Sequence, residues 1–376
     1  MKQSVRLGRI RGITIGAHWS VGLILVIIAE VLAASVLPAA YPHERPVVYW
    51  SVAIVTAVLF LASLLAHELA HALVASRSGV KVRSIALWML GGMTEFDGEP
   101  PTAGADFRIA VAGPLTSLAA GALCYGVAAA IHAAGGPRIV VAAAMWLALM
   151  NFVLGVFNLL PGAPLDGGRV LRAALWRRYG DRESAERGSA VVGQVLGAVI
   201  VGLGFVEALT YNVLDGVWLA LIGWFLITAA TAERQTANAE IALNGVQVAE
   251  VMTPHPDVAS GWHSVADFID EAARSRQDAF PVVDFDGQLT GVVLTSQLTR
   301  VPAGQRSGLR VDQVMLPVPP AYRAAPGDPA APLASRMPLG GQVAAVVLAD
   351  GQVTGLVTGS DLDQAMRRRK LTTSGR

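Results

Sequence analysis

Charged side chains are scarce in this sequence, and cysteine is almost missing. Aspartate, glutamate, lysine and arginine make up 15% of the 376 residues, whereas ordinary soluble domains carry about 25%. Cys124 is the only cysteine, which excludes an intrachain disulfide framework and a zinc site of four thiolates. A formal net charge of +1 gives no indication of a nucleic-acid partner, and none is expected. What the chain has instead is 53% apolar residues and a mean hydropathy of +0.50, which indicates a membrane protein.

Six apolar stretches are long enough to cross a bilayer, which needs about 20 residues. They cover residues 18–37, 47–76, 107–132, 139–160, 189–209 and 217–232. Arginine and lysine accumulate at the N-terminus and in the connections after the second and fourth stretches. By the positive-inside rule that side is cytoplasmic. The pattern predicts a multi-pass protein of the cell membrane with both termini in the cytoplasm, and the first stretch is expected to be a retained span rather than a signal peptide.

The second stretch ends in His67-Glu68-Leu69-Ala70-His71. Histidines four residues apart project from the same face of a helix, so both imidazoles can reach one ion. The glutamate beside the first histidine is placed to take a proton from the attacking water. Ionisable groups carried into lipid cost at least about 2.5 kcal/mol each unless they have partners, which disfavours a chance occurrence of the motif. The pattern predicts His67 and His71 as metal ligands and Glu68 as a general base.

The fourth stretch ends in a segment rich in proline and glycine, residues 158–169. These residue types stop the helix and predict an irregular loop at the cytoplasmic end. Asp166 then arrives at the depth of the two histidines, where it supplies the third ligand of an open catalytic zinc site. Asn158 has two interpretations: it donates a hydrogen bond to the oxygen of a scissile carbonyl, or it is a packing amide between helices.

Residues 80–96 alternate apolar and polar side chains around Gly91-Gly92, which predicts a short β-hairpin at the cytoplasmic boundary. Non-helical backbone at membrane depth is tolerated only against protein or a wet cavity. The hairpin either lines an entry path and pairs with an extended peptide by strand addition, or it is a plain connection. The sequence leaves both open.

After residue 232 the composition becomes that of a soluble domain. Residues 233–245 are predicted to form a helical linker, and residues 371–376 a short tail. Between them lie two similar units, 246–304 and 305–370, each with a leading segment, a helix, two short apolar strands around an Asp-Gly turn, and a closing helix. The sequence therefore predicts a membrane domain over residues 1–232 and a cytosolic α+β module built from an internal repeat.

The first 232 residues resemble the site-2 protease family of intramembrane zinc metalloproteases. The motifs that carry the resemblance are His67-Glu68-x-x-His71, Asn158-x-x-Pro161 leading to Leu165-Asp166-Gly167, Ala112-Gly113-Pro114, and Gly91-Gly92. The resemblance implies one zinc ion per chain, held by His67, His71 and Asp166. Glu68 is then the general base, and Asn158 assists the substrate or the oxyanion. The implied substrates are single-pass membrane proteins, such as anti-sigma factors, cut in regulated intramembrane proteolysis.

The module after residue 245 resembles a tandem pair of cystathionine-β-synthase (CBS) domains, a family that often binds adenine nucleotides between its repeats. In that family a threonine or serine and an aspartate after the last strand hold ribose and phosphate. The second repeat keeps both, as Thr358 and Asp361, whereas the first has Leu294 and Gln297 at the matching places. The resemblance implies one nucleotide site and a degraded counterpart. The alternative is a pair that serves only for homodimerisation or for gating of the substrate.

The predicted architecture is a membrane α-helical domain of six transmembrane helices with a short hairpin, joined to a cytosolic α+β tandem CBS module. The expected function is a zinc endopeptidase gated by the CBS pair. A second hypothesis is a catalytically weak membrane scaffold that senses adenine nucleotides through the pair. A transporter is disfavoured, because transporters usually have interrupted helices at matching positions of two repeated halves. Glu30, Glu207 and His18 receive no role.

Overall fold

The computed structural model describes residues 5–10, 12–89, 91–334 and 339–373 of the chain. The chain forms two compact units, Met1–Arg234 and Gln235–Arg376. They are named the membrane unit and the C-terminal unit below. In the described part of the chain, six helical segments are long and apolar enough to cross a membrane, all in or beginning in the membrane unit.

The helices of the membrane unit follow the six predicted spans, which are thereby confirmed. The first span is α1 (Ser20–Val31), which continues through a π-helical turn (Leu32–Val36) into α2 (Leu37–Ala40). The other spans are formed by α3 (Pro46–Arg77), α4 (Ala103–Ala133), α5 (Arg138–Asn158), α7 (Arg182–Thr210) and α8 (Val213–Leu243), with α6 (Asp166–Tyr179) between α5 and α7. Helix α8 continues to Leu243 without a break, so it includes most of the residues predicted as a linker.

The prediction of an irregular loop over residues 158–169 is wrong in part, because helix α6 begins at Asp166. Only residues 159–165 lack regular structure, and Asp166 is the first residue of the helix. The helix ends at Gly180, whose φ of 76° is the left-handed conformation that terminates many helices. Glycines at positions 167 and 168 obscured the helix in the sequence because glycine lowers helix propensity.

The predicted hairpin is part of a larger sheet. Strands β3 (Lys81–Trp88) and β4 (Gly91–Asp97) pair antiparallel, so the two glycines begin β4 instead of forming the turn. The N-terminal segment adds β1 (Val5–Ile10) and β2 (Ile13–Ala17), and the sheet order is β1-β2-β3-β4. Strand β2 pairs with β3 in parallel. This leaves β4 as an edge strand, with one row of backbone hydrogen-bonding groups not used by the sheet.

Helix α4 contacts three other long elements of the membrane unit, α3, α5 and α6. It approaches α5 closely at Gly121, where an added Cβ would lie 3.1 Å from the carbonyl oxygen of Ala148. Thr102 caps the helix by accepting a hydrogen bond from the backbone N–H of Ala105. Side chains on α4 can therefore reach groups that belong to sequence-distant helices.

The C-terminal unit contains two α+β repeats. The first consists of α9 (Val248–Val251), β5 (Thr253–Pro254), β6 (Ala259–Ser260), α10 (Val265–Ala272), β7 (Ala279–Val283), β8 (Leu289–Leu294) and α11 (Thr295–Leu298). The second consists of α12 (Val311–Val314), β9 (Leu316–Pro317), β10 (Arg323–Ala324), α13 (Ala331–Ala334), β11 (Val343–Ala349), β12 (Gln352–Thr358) and α14 (Gly359–Thr373). In the second repeat, Asp350 and Gly351 both have positive φ, as a two-residue hairpin turn requires.

The two repeats exchange their leading strands. One sheet has the order β10-β11-β12-β5 and the other β6-β7-β8-β9, so each contains one strand from the opposite repeat. All five residues of β7 are buried, which explains its continuous apolar run. Because neither sheet is complete without the other repeat, we expect the two repeats to fold as one unit.

Candidate metal centre

His67 and His71 lie one turn apart on α3 and point to the same side. Their Nε2 atoms are 3.1 Å apart, and both side chains are buried, with 3% and 5% of their surface exposed. This is the arrangement predicted from their spacing. Two imidazoles facing each other inside a membrane helix bundle need a further partner, because unpaired polar groups are costly there.

Asp166 is that further partner. Its Oδ2 atom lies 3.2 Å from the Nε2 atom of each histidine, although it is 99 and 95 residues away along the chain. The loop before it is attached to α7: Ala163 N–H donates to the carbonyl of Ser189 at 3.3 Å. The Ser189 hydroxyl in turn donates to the carbonyl of Gly168 at 2.7 Å. The structure thus brings together the three residues predicted as ligands.

The donor set fits a divalent cation. Ligand atoms of a tetrahedral zinc ion stand roughly 3.3–3.6 Å apart, given bond lengths of about 2.0–2.2 Å. The three separations here are slightly shorter, at 3.1, 3.2 and 3.2 Å. The Nδ1 atom of His71 donates to the carbonyl of Ile109 at 2.7 Å. In a neutral imidazole this leaves a lone pair on Nε2, facing a carboxylate oxygen. A cation between these electron-pair donors removes their repulsion.

The second nitrogen of each histidine is held by α4. His67 Nδ1 lies 2.9 Å from the hydroxyl of Ser117, and His71 Nδ1 contacts the Ile109 carbonyl. Gly113 lies between these two positions on the helix. A Cβ atom there would overlap His71 Nε2 and come within 2.6 Å of His67 Nε2. No role was predicted for these α4 positions from the sequence, although Gly113 stands in the Ala112-Gly113-Pro114 motif.

Glu68 faces strand β4. The hydroxyl of Thr94 donates to its Oε2 atom at 2.9 Å, and a Cβ atom added at Gly92 would lie 2.6 Å from its Oε1 atom. Glu68, the two histidines and Asp166 line one cavity of about 450 Å³. The cavity is therefore bounded on one side by the edge strand of the sheet and contains a carboxylate beside the metal-ligand cluster.

Asn158 also lines this cavity, as do Trp88 and Arg169. Its Nδ2 atom donates to the carbonyl of Leu154 within its own helix, at 3.0 Å. The Oδ1 atom and the second N–H of the amide remain available for other hydrogen bonds. The substrate-binding role of Asn158 stays a prediction. His18 does not line the cavity, and its Nδ1 atom lies 2.9 Å from the Ser20 hydroxyl.

A buried ion-pair cluster lies next to the metal centre. Arg172 of α6 donates from Nε and Nη2 to the two oxygens of Asp106, each at 2.9 Å, and from Nη1 to Glu186 at 3.0 Å. Arg169 is 3.5 Å from the same carboxylate. Burial alone would lower the pKa of the Arg172 guanidinium, but Asp106 raises it above its ordinary value. The guanidinium therefore stays charged.

Asp166 is anionic in this environment. Burial alone would raise the pKa of its carboxyl group, but His67 and His71, when protonated on Nε2, donate hydrogen bonds to it and lower the pKa well below its ordinary value. A metal ligand must be deprotonated to bind. The carboxylate is therefore in the form that a cation requires at neutral pH.

The C-terminal unit has a cavity of about 370 Å³ whose lining includes Thr358, Asp361 and Arg276. Asp361 Oδ2 accepts hydrogen bonds from the Thr358 backbone and hydroxyl, at 2.8 and 2.7 Å. At the matching place of the first repeat, Leu294 is 2% exposed and belongs to an apolar cluster. The Gln297 side chain there accepts from the Leu294 backbone N–H at 3.0 Å.

Several known proteins are similar to this chain. The chain matches the model of peptidase family M50 over residues 55–138 and 131–203. A Mycobacterium tuberculosis protein named zinc metalloprotease Rip3 is 45% identical over 364 residues, which cover 96% of this chain and 92% of the relative. The solved site-2 protease of Methanocaldococcus jannaschii is 30% identical, covers 61% of this chain and 94% of its own, and has a TM-score of 0.42. The CBS domain of a bacterial CNNM/CorC family Mg²⁺ transporter is 20% identical, covers 36% of this chain and 82% of its own, and has a TM-score of 0.31.

The similarity to the mycobacterial relative extends over nearly the whole chain, and six spans make the protein a multi-pass membrane protein. Its class is that of the zinc metalloproteases that act within membranes. The chain belongs to peptidase family M50, which contains the site-2 proteases. The predicted family, fold class and enzyme class are confirmed, whereas the roles of individual residues stay predictions.

Proposed function

We propose that this protein is a zinc endopeptidase that cleaves single-pass membrane proteins in regulated intramembrane proteolysis. His67, His71 and Asp166 are the proposed ligands of one zinc ion per chain. The observation that carries the proposal is the convergence of their three ligand atoms within 3.2 Å of one another. Glu68 lines the same cavity, which is where a general base is needed.

Zinc bound at this site would polarise the scissile carbonyl and lower the pKa of a bound water toward about 7. Glu68 takes a proton from the attacking water as its oxygen bonds to the carbonyl carbon. The same carboxyl group then gives the proton to the leaving nitrogen as the C–N bond breaks. Asn158 supplies an N–H to the carbonyl oxygen, where negative charge develops. The products are a new carboxylate and a new amine.

The substrate must be unwound before it is cut, because a helix hides its carbonyls in internal hydrogen bonds. Strand β4 borders the cavity through Gly92 and Thr94 and is an edge of its sheet. We propose that an unwound substrate segment pairs with β4 by strand addition. This would hold the scissile bond in extended form beside Glu68.

The decisive experiment is cleavage of a co-expressed single-pass substrate, such as an anti-sigma factor, by the Glu68→Gln variant. Cleavage is expected to disappear while one zinc per chain is retained in the purified protein. Glu95→Gln is the matched control, because Glu95 lies on β4 and contacts Ser84 rather than the cavity. Undiminished cleavage by Glu68→Gln would disprove the role of the base, and an unmodified protein without zinc would disprove the ligand set.

The proposed location is the cell membrane with both termini in the cytoplasm. The charge asymmetry of the connections supports it, since basic loops stay on the cytoplasmic side. Fusion of a reporter active only in the cytoplasm to either terminus should give a signal. A signal only from a fusion placed between α4 and α5 would reverse the orientation.

A second proposed function belongs to the C-terminal unit. The cavity beside Thr358 and Asp361 has the hydroxyl and carboxylate that suit a ribose, and Arg276 supplies a charge that suits a phosphate. We propose that it binds an adenine nucleotide and thereby gates cleavage, and that the unit also supports a homodimer. A catalytically weak nucleotide-sensing scaffold is the alternative for the whole protein.

Titration of the full-length protein with ATP, ADP and AMP tests this second proposal. Asp361→Asn should weaken binding, whereas Gln297→Glu, at the matching place in the other repeat, should not. Cleavage should then be measured with and without the bound nucleotide. Absence of binding at millimolar nucleotide would reduce the unit to a structural role, and sedimentation of the protein in detergent would separately decide the homodimer.

A further inference from the structure

A row of residues on α4 contacts or borders the proposed histidine ligands. Ile109, Gly113 and Ser117 are spaced four residues apart, so they share one face of the helix. Ile109 and Ser117 contact the two histidines, and Gly113 leaves room for them. Asp106 extends the same row by one turn toward the helix start. Its partner is not a histidine but α6, the helix that begins with Asp166.

The carboxylate of Asp106 is completely buried, with 0% of its surface exposed. Two arginines of α6 converge on it: Arg172 with two hydrogen bonds of 2.9 Å and Arg169 at 3.5 Å. Arg169 stands one turn after Asp166 and lines the same cavity. A side chain that binds two residues of α6 fixes both the position of that helix along its axis and its rotation relative to α4.

Apolar packing alone would fix α6 less well. Apolar contacts are non-directional, and cores repack when a helix shifts slightly. A bidentate arginine–carboxylate pair instead sets a distance and a plane. The connection before Asp166, residues 159–165, has no regular structure. The single hydrogen bonds that Ser189 makes to Ala163 and Gly168 set a distance but not a plane. A buried charge is costly, so its presence at this point is best explained by the need for an exact helix position.

We propose that Asp106 is a positioning residue of the metal centre, which holds Asp166 against the two histidines through Arg172 and Arg169. This inference rests on the proposed zinc site but goes beyond its ligands. Helix α4 then aligns all three ligands, because it contacts the histidines directly and holds the aspartate through α6. Asp106 itself touches neither the metal position nor the substrate cavity.

The test compares zinc affinity in three forms of the full-length protein, measured by competition with a chelator. The double variant Asp106→Leu with Arg172→Met removes the two most buried charges of the cluster together. Their other partners, Glu186 and Arg169, are partly exposed and can be solvated. The zinc affinity of the double variant is expected to fall about tenfold, at the lower end of what loss of a ligand's supporting contact costs. Arg172→Lys keeps the charge but loses the two parallel hydrogen bonds, and a smaller fall in zinc affinity is expected.

Glu99→Gln is the control, because Glu99 is an exposed carboxylate that pairs with Arg182 and not with Arg172 or Arg169. It should bind zinc as the unmodified protein does. Thermal unfolding of each variant separates folding from positioning: a purely structural role would change the folded fraction but leave the affinity of folded protein unchanged. Unchanged zinc affinity in the folded double variant would overturn the inference. An unmodified protein that binds no zinc would instead overturn the proposed function.

Discussion

The two units of this protein bury opposite kinds of side chain. Among the described residues, the buried polar or charged side chains all belong to the membrane unit: Ser20, Thr56, His67, His71, Asp106, Ser117, Asn151, Arg172 and Ser189. The buried clusters of the C-terminal unit consist of valine, alanine, leucine and phenylalanine. The surfaces are reversed as well, since Val258 and Phe285 are the only large apolar side chains of the described C-terminal unit that are exposed.

The difference follows from the solvent that each unit meets. A water-soluble unit is stabilised by burying apolar groups away from water. Lipid is itself apolar, so apolar contacts between helices in a membrane have no such hydrophobic driving force. The interior of a membrane unit can then hold polar groups, provided that each has a partner. Six of the nine buried polar residues belong to the proposed metal centre or to its proposed supports: His67, His71, Asp106, Ser117, Arg172 and Ser189. Interior polarity in the membrane unit is concentrated where chemistry is proposed.

From this difference we expect small substitutions in the polar interior of the membrane unit to lower zinc affinity more than they lower the free energy of unfolding. The largest effect is expected for Gly113→Ala, because its Cβ atom would overlap His71 Nε2 and crowd His67 Nε2. Zinc affinity should fall by about a hundredfold or more, and substrate cleavage should disappear. Elemental analysis after dialysis against a chelator measures the first effect. Gly126→Ala is the matched control on the same helix, since nothing lies within 4 Å of its added Cβ. Equal zinc contents would contradict the prediction.

A smaller effect, confined to the chemistry, is expected for Gly92→Ala. The added Cβ atom would lie 2.6 Å from Glu68 Oε1, so the carboxylate must move while the histidines need not. Cleavage should fall by about a hundredfold, within the range that a positioned general base contributes, and zinc content should stay the same. Gly104→Ala, which meets nothing within 4 Å, should cleave normally. Loss of zinc from the Gly92 variant would show that β4 supports the ligands as well.

The three proposed ligand residues could be chosen from the sequence because the signals for them are local. A spacing of four places His67 and His71 on one helix face, and a break after the fourth span brings Asp166 to their depth. Their supports carry no such signal. Ser117 is 50 residues from His67, and Asp106 is 66 residues from Arg172. The contact partner of a buried serine or aspartate on α4 can be inferred only when the rotation of that helix against its neighbours is known.

The absence of a local signal also explains why some strands and helix α6 were not predicted. Strands β1 and β2 join the sheet through β3, and the residues between the paired Thr14 and Ser84 include two membrane spans. Helix α6 was hidden because Gly167 and Gly168 suggest a turn. In the C-terminal unit the repeated pattern predicted the elements of each repeat. The exchange of β5 and β9 between the sheets was not predictable, because two-residue strands have no periodicity to detect.

The smallest effect on zinc affinity is expected for Ser117→Ala, and it is best compared with one substitution in the C-terminal unit. Ser117→Ala removes a buried hydroxyl that contacts His67 Nδ1 at 2.9 Å, so zinc affinity should fall about tenfold, while the free energy of unfolding changes by only about 1 kcal/mol. Phe268→Ala is its counterpart in the C-terminal unit, where the side chain is 2% exposed and packs edge-on against Phe280. That variant should lower the free energy of unfolding of its unit by about 3–5 kcal/mol and leave zinc affinity unchanged. If the serine variant instead lost mainly stability, or the phenylalanine variant lost zinc, the polar interior of the membrane unit would not be specialised for the metal.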